Sequence, residues 1–210
     1  MHRRRGGQAG ASASGYRRAK KLRDRAAVVD LFNLLVALDD PSELTADDVS
    51  GVGAKYGINM QKEQMTGLQQ IFGQYLENII PAGDTQLRGD EAPKLILFKE
   101  ALGLGDEEAA PVFIEVGRRL SRAGYETKER SQQFEQRKAF QRLIYVSYAV
   151  FGDQKAAFLL PWRRVFNLND SQLFVARRDN ARAIFNQHLR ENYGGQLPAD
   201  RNGHEEYTEG

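Results

Sequence analysis

The chain has 210 residues, with 30 basic against 28 acidic side chains for a formal net charge of +2, and it contains no cysteine. The lack of cysteine excludes disulfides, thiolate metal sites and thiol redox chemistry, and the near balance of charge argues against a dedicated nucleic-acid binder, which carries a strongly basic face. The length is enough to bury roughly 70% of the unfolded surface in one core or in several stacked hairpins, while the longest apolar runs, such as Val28 to Leu38, fall short of the ~20 residues of a spanning helix.

Met1 to Gly15 is rich in Arg, Gly, Ala and Ser and poor in apolar residues, so 1–15 is expected to be a disordered basic arm. Tyr16 to Leu38 predicts a first helix, basic in its first half through Arg17, Arg18, Lys20, Lys21, Arg23 and Arg25 and densely apolar from Val28 onward. One end is expected in water and the other in the core. Asp39-Asp40-Pro41 stops it, since proline disfavours helix before itself and cannot continue the ladder. Thr45 and Asp48 are spaced as a capping box for a short second helix with Val49, Val52 and Tyr56 inward, ending at Gly57. Asn59 is expected to cap a third helix reaching Ile79, whose Met65, Leu68, Phe72, Tyr75, Leu76 and Ile79 form one helical stripe closed by Pro81.

The stretch Leu87 to Leu120 predicts an αα-hairpin. Asp90 is a candidate N-cap, Glu91 places negative charge in the first turn, and Pro93 falls where its missing N–H costs little. Leu95, Ile96, Phe98 and Leu102 recur at helical spacing until Gly103 ends the helix; Gly105 and Asp106 start the next, with Ala109, Val112, Phe113, Val116 and Leu120 on one face. Pro111 removes an intrahelical hydrogen bond, so this helix either starts nearer Ala110 or is kinked. The same break chemistry stands at Lys55 to Asn59, Ala101 to Gly105 and Val165 to Asn169. Its aliphatic anchors Ile58, Leu104 and Leu168 are 46 and 64 residues apart, the first interval falling in the range of two-helix solenoid units.

Beyond Tyr125, Glu126 to Gln133 is polar and reads as a loop or a solvated helical turn. Phe140, Leu143, Ile144, Ser147, Val150 and Phe151 make the next buried face, ended by Gly152. A helix at Phe158 to Leu160 must break at Pro161 before Trp162, Val165 and Phe166. Asp170 is expected to cap a last helix with Leu173, Ala176, Ala181, Ile184, Phe185 and Leu189 inward. The residues 194–210 are polar and expected to be a disordered tail. With no alternating run bounded by hairpin turns, the fold class is all-α: stacked antiparallel helix hairpins, a HEAT-like helical repeat, in a domain spanning 16–193.

The chemical inventory is sparse. His2 and His204 lie near the ends and His188 stands alone on the last helix, which provides neither a metal-ligand set nor a catalytic triad. Gly103-Leu104-Gly105 lacks the third glycine and the preceding strand of a phosphate loop. The pairs Asp39-Asp40, Asp47-Asp48 and Glu107-Glu108 sit at helix ends, where capping and the macrodipole account for them; Asn169-Asp170-Ser171 matches a glycosylation acceptor but is better explained as an N-cap. No catalytic, cofactor or metal residues are assigned, and the chain reads as a non-enzyme. Three arginine groups remain, namely Arg118, Arg119 and Arg122, then Arg163 and Arg164, then Arg177, Arg178 and Arg182. They form either a groove for acidic partners or solvated helix faces neutralised by Glu115, Glu126 and Asp179.

Several runs together carry a family resemblance: Lys55-Tyr56-Gly57-Ile58-Asn59-Met60-Gln61-Lys62, Phe72-Gly73-Gln74-Tyr75-Leu76-Glu77, Gly89-Asp90-Glu91, Ala101-Leu102-Gly103, Gly117-Arg118-Arg119, Leu143-Ile144-Tyr145-Val146-Ser147, Val150-Phe151-Gly152-Asp153 and Phe158-Leu159-Leu160-Pro161-Trp162. Over Leu31 to Leu189 the chain resembles the large stromal scaffold subunit of the TIC translocon, which serves protein import across the chloroplast inner envelope membrane. The resemblance implies a C-terminal fragment of a protein anchored upstream, on the stromal side of that membrane. It would receive transit peptides of imported precursors and recruit stromal chaperones, a ClpC-class AAA+ chaperone and a chaperonin, with a translocon co-chaperone, and touch the membrane only through segments outside this chain. The near-zero net charge speaks for no nucleic acid among the partners, and the unshielded end helices of a solenoid leave a homodimer open. Transit peptides are Ser-rich and basic, so Glu63, Glu77, Glu107 and Glu108 are electrostatically suitable contacts, although the sequence does not place them on one surface and leaves the partner-binding residues unassigned. Readings in other classes are a nucleic-acid-binding helical repeat that uses the arginine groups and a channel-forming membrane component.

Overall fold

A computed structural model describes residues 9–83, 85–126, 129–152 and 169–194. Helix α1 spans Ala9–Ala37, α2 Ala46–Tyr56, α3 Met60–Glu63, α4 Met65–Ile79, α5 Glu91–Ala101, α6 Asp106–Glu126, α7 Arg130–Phe151 and α8 Asp170–Tyr193, with a 3₁₀ turn at Pro41–Glu43. There is no strand among the described residues, and the fold is all-α. The chain divides into two compact units, one from the described residues of Met1–Ile79 and Pro93–Val116, the other from those of Ile80–Ala92 and Gly117–Gly210.

The first unit follows its local signals closely. Thr45 caps α2 in a full capping box, its hydroxyl accepting from the Asp48 N–H while the Asp48 carboxylate accepts from the Thr45 N–H. The helix ends at Gly57 with φ +62°, the Gly57 N–H donating to the Ala54 carbonyl and the Ile58 N–H to that of Gly53. After α5 the pattern repeats: Gly103 has φ +68°, its N–H donates to the Glu100 carbonyl, and the Leu104 N–H donates to that of Lys99. Both are Schellman endings in which the residue after the glycine, Ile58 or Leu104, is buried against its helix. The third break, at Val165 to Leu168, lies outside the described residues, as do Phe158 to Trp162.

The core of this unit joins Ala27, Leu31 and Leu35 of α1 to Val49 of α2, Met60 of α3, and Leu68, Phe72 and Leu76 of α4. Phe72 stacks on Phe98 with ring centres 6.3 Å apart and tilts against Phe113 at 6.0 Å. All three rings are fully buried and tie α4 to α5 and α6.

Several expectations need correction. Helix α1 begins at Ala9, ahead of Tyr16, in keeping with the alanines at 9, 11 and 13, which favour helix. Its apolar half is not buried all round: Val29 is 57% exposed and Val36 70%, because only one face of a helix meets its neighbours in a two-layer packing. The helix capped by Asn59 stops after one turn, and Gln64, at φ −127°, separates it from α4. That redirection lets Met60 be buried while α4 presents its own stripe. Helix α6 starts at Asp106 and carries Pro111 within it, so the later start near Ala110 is not taken.

In the second unit α7 packs on α8. Leu143, Ile144, Val146, Val150 and Phe151 of α7 and Leu173 and Ala176 of α8 are buried. Buried Arg142 donates to the carbonyls of Pro81 at 2.6 Å and Gly83 at 2.9 Å, satisfying two backbone acceptors in a segment without regular structure. The Glu91 carboxylate accepts the N–H groups of Arg88 and Gly89, and Gly89, at φ +103°, lies under Ile184 of α8, where a Cβ would stand 2.9 Å from the Ile184 Cγ2. Asn169, not Asp170, caps α8, in a capping box with Gln172; the amide reaches the N–H of Gln172, which Asp170, already in the first helical position, has no geometry to do. Ala181 and Phe185 of the predicted inward set face solvent, because α7 covers only the Leu173–Ala176 side.

Candidate functional site

A groove of about 500 Å³ opens in the first unit between the C-terminal part of α1 and helix α4. Its α1 wall is Phe32, Leu35 and Val36, continued by Leu38 and Pro41; its α4 wall is Ile71, Gln74, Tyr75, Glu77 and Asn78, with Phe98 of α5 behind. Leu35, Ile71 and Phe98 are buried and make an apolar floor, whereas Phe32 and Val36 are exposed at the lip. The opposite lip carries amides and one carboxylate, Gln74, Asn78 and Glu77. An apolar floor rimmed by a few polar groups is the ordinary composition of a ligand cleft.

Local chemistry holds the mouth open. Leu38 turns the chain off α1 by donating its N–H to the Leu35 carbonyl, and Asp40, in extended conformation at φ −131°, caps the 3₁₀ turn. One Asp40 oxygen accepts from the Ser42 N–H at 2.9 Å, the Ser42 hydroxyl at 2.8 Å and the Tyr75 hydroxyl at 3.1 Å. The other pairs with Lys94 at 2.9 Å. Desolvation pushes the Asp40 carboxyl up, but the donors from Ser42, Lys94 and Tyr75 outweigh it and hold it well below the usual carboxylate range. Burial, then the Asp40 charge, holds the Tyr75 phenol well above its ordinary value. The Tyr75 ring meets Phe98 edge-on at 4.6 Å, so one side chain is fixed at both its polar and apolar ends.

The four acidic positions singled out from sequence go to different places. Glu77 lines the groove. Glu63 pairs with Lys20 at 3.2 Å and accepts the Asn59 N–H. Glu107 and Glu108 lie in the first turn of α6, where the Glu108 carbonyl accepts from the Gln69 side chain. Of the arginines, Arg177 lies over the Tyr148 ring at 4.2 Å and Arg178 is bonded to Asp179; Arg118, Arg119, Arg122 and Arg182 are exposed, and Arg163 and Arg164 lie outside the described residues. His188 faces Asn192 at 3.0 Å and Tyr193. Among the described residues no cluster of three or more His, Asp or Glu is placed to hold a metal ion, and no helix is long and apolar enough to cross a membrane. Sequence reading missed the groove lip, although apolar residues on more than one face of α1 were its signal: Phe32 and Val36 lie off the Ala27–Leu31–Leu35 stripe.

Comparison with known proteins gives one consistent result. The Tic110 family, described as chloroplast envelope transporter, matches residues 4–203. The chain is 44% identical over 165 residues to Protein TIC110, chloroplastic, of Pisum sativum and 39% identical over 165 residues to the protein of that name from Arabidopsis thaliana, in each case over 78% of this chain. It spans 16% of the length of these relatives. No solved structure matches.

Proposed function

We propose that this chain, which belongs to the Tic110 family of chloroplast envelope transporters, takes part in protein import into chloroplasts as a non-enzymatic scaffold on the stromal side of the inner envelope. The observation that carries the reading is the α1–α4 groove. Its floor takes an aliphatic or aromatic anchor, and Glu77 on its rim, with Asp39 and Glu43 exposed in the adjoining turn, favours a basic partner over an acidic one. Transit peptides have that chemistry, being amphipathic, rich in Ser and Arg and poor in acids. An apolar anchor supplies affinity and the rim charges supply orientation and rate. Recruitment of stromal chaperones belongs to the same proposed role and is supported by family membership alone.

The test is an equilibrium titration of a fluorescent transit peptide against the 210-residue chain, with the same peptide scrambled as control, at two salt concentrations. Saturable binding that prefers the native order and weakens only modestly with salt is the expected result. Equal binding of both peptides, or affinity that collapses with salt as for a purely electrostatic contact, would remove precursor recognition from this segment.

A further inference from the structure

The side of α1 turned away from the core is unusual in what it carries. Leu22, Val29 and Val36, seven residues apart, are 61%, 57% and 70% exposed, with Phe32 between the last two at 46%. At 100° per residue Leu22, Val29 and Val36 fall within about 40° of one another on the side opposite Ala27, Leu31 and Leu35, the buried stripe, and Phe32 stands at the flank, toward the groove. Exposed Arg18 and Arg25 share that outer sector and exposed Lys21 borders it, whereas neither acid of this stretch, Asp24 or Asp30, does. The charge is polarised along the helix: cations accompany its first half, while exposed Asp39 and Glu43 follow its C-terminal end.

We infer that this face is the docking surface for a second copy of the chain, the two α1 helices crossing antiparallel at Val29. About that centre Leu22 of one copy meets Val36 of the other, twice over by symmetry, as an isologous contact requires. Arg18 and Lys21 then stand level with the partner turn that holds Asp39 and Glu43. A parallel pairing would instead set cation on cation. The charge pattern therefore selects the direction, and the apolar repeat selects the register. A membrane surface is a poorer occupant, because Arg18 and Arg25 interrupt the apolar stripe itself and the acids at the helix end would face anionic lipid. Four large apolar side chains a side is a small interface, so the pair is a weak one that forms and dissociates.

The pairing reaches the groove. Phe32 and Val36 belong to both surfaces, so a second copy seated on α1 covers one lip of the site, and peptide and second copy compete. This last consequence rests on the peptide-docking reading, whereas the pairing does not.

The absence of native cysteine makes the geometry directly readable. Single Val29→Cys, Leu22→Cys and Val36→Cys chains are oxidised, alone and mixed, and sedimentation equilibrium of the wild-type chain and of Val29→Glu is followed up to about 0.5 mM, without peptide. The expected result is a reversible dimer whose dissociation constant rises at least ~10-fold in Val29→Glu, a disulfide of Val29→Cys with itself, and a disulfide of Leu22→Cys with Val36→Cys but not with itself. Self-linked Leu22→Cys would mean a parallel pair and overturn the assignment. A dimer that Val29→Glu leaves intact, or that links none of these positions, would move the interface elsewhere, and a monomer throughout the range would remove it. Peptide binding that persists with an unpaired chain leaves the groove reading standing, so the two failures are distinct.

Discussion

Asp40 joins three parts of the first unit through one side chain: it caps the turn after α1, accepts from Tyr75 of α4 and pairs with Lys94 of α5. Replacing it by alanine leaves the Tyr75 hydroxyl and the Ser42 N–H short of an acceptor and takes the Asp40 pairing from Lys94, and the expected cost is about 2–3 kcal/mol in urea denaturation at pH 7. The depressed folded-state pKa fixes the sign of the pH dependence. The contribution is complete above the unfolded carboxylate value near 4 and is lost progressively as pH falls below it, so the gap between wild type and Asp40→Ala should narrow between pH 5 and pH 2; a constant gap would show that the carboxylate is not the acceptor. From sequence, Asp40 was legible as a helix stop and no more. Its tie to Tyr75 spans 35 residues, and no local pattern announces a partner that distant.

Elements were more legible than the residues that join them, since helix ends are written in short-range chemistry. Thr45, Asp48, Gly57, Asn59 and Gly103 each stand where the sequence placed them, and each does so through hydrogen bonds within five residues. Gly57 meets nothing within 4 Å of where a Cβ would be, so Gly57→Ala isolates the cost of a left-handed side chain, about 1–2 kcal/mol by thermal or urea denaturation, and Gly57→Asn should recover part of it. Gly103→Ala should cost more, because the added Cβ would also meet the Gln61 side chain at 2.8 Å. In the second unit Gly89→Ala combines a positive φ with the methyl of Ile184 and should destabilise by at least ~2 kcal/mol, an outcome that a denaturant midpoint reads directly. What the pattern did not yield is which apolar face finds a partner. Val29, Val36 and Phe185 are as apolar as their buried neighbours and remain in water, because periodicity reports a helix's faces and says nothing of how many are covered.

At the scale of the whole molecule the resemblance read from scattered motifs and the family match over residues 4–203 agree, and the all-α fold follows from repeated helix-ending chemistry. The groove was not legible, since it arises from the exposed side of α1 standing beside α4, a tertiary fact. Its role as a docking site for an amphipathic basic peptide is the central claim, and a charge placed in it tests that claim most directly. Gln74 is exposed on the α4 wall, away from the outer face of α1, so Gln74→Arg should leave helicity and self-association unchanged. The deciding measurement is the dissociation constant of a fluorescent transit peptide for wild type and Gln74→Arg, side by side. The account predicts affinity lowered about fivefold or more, one repulsive surface charge being worth roughly 1 kcal/mol; equal affinity for the two chains would contradict it and place the peptide elsewhere on the protein.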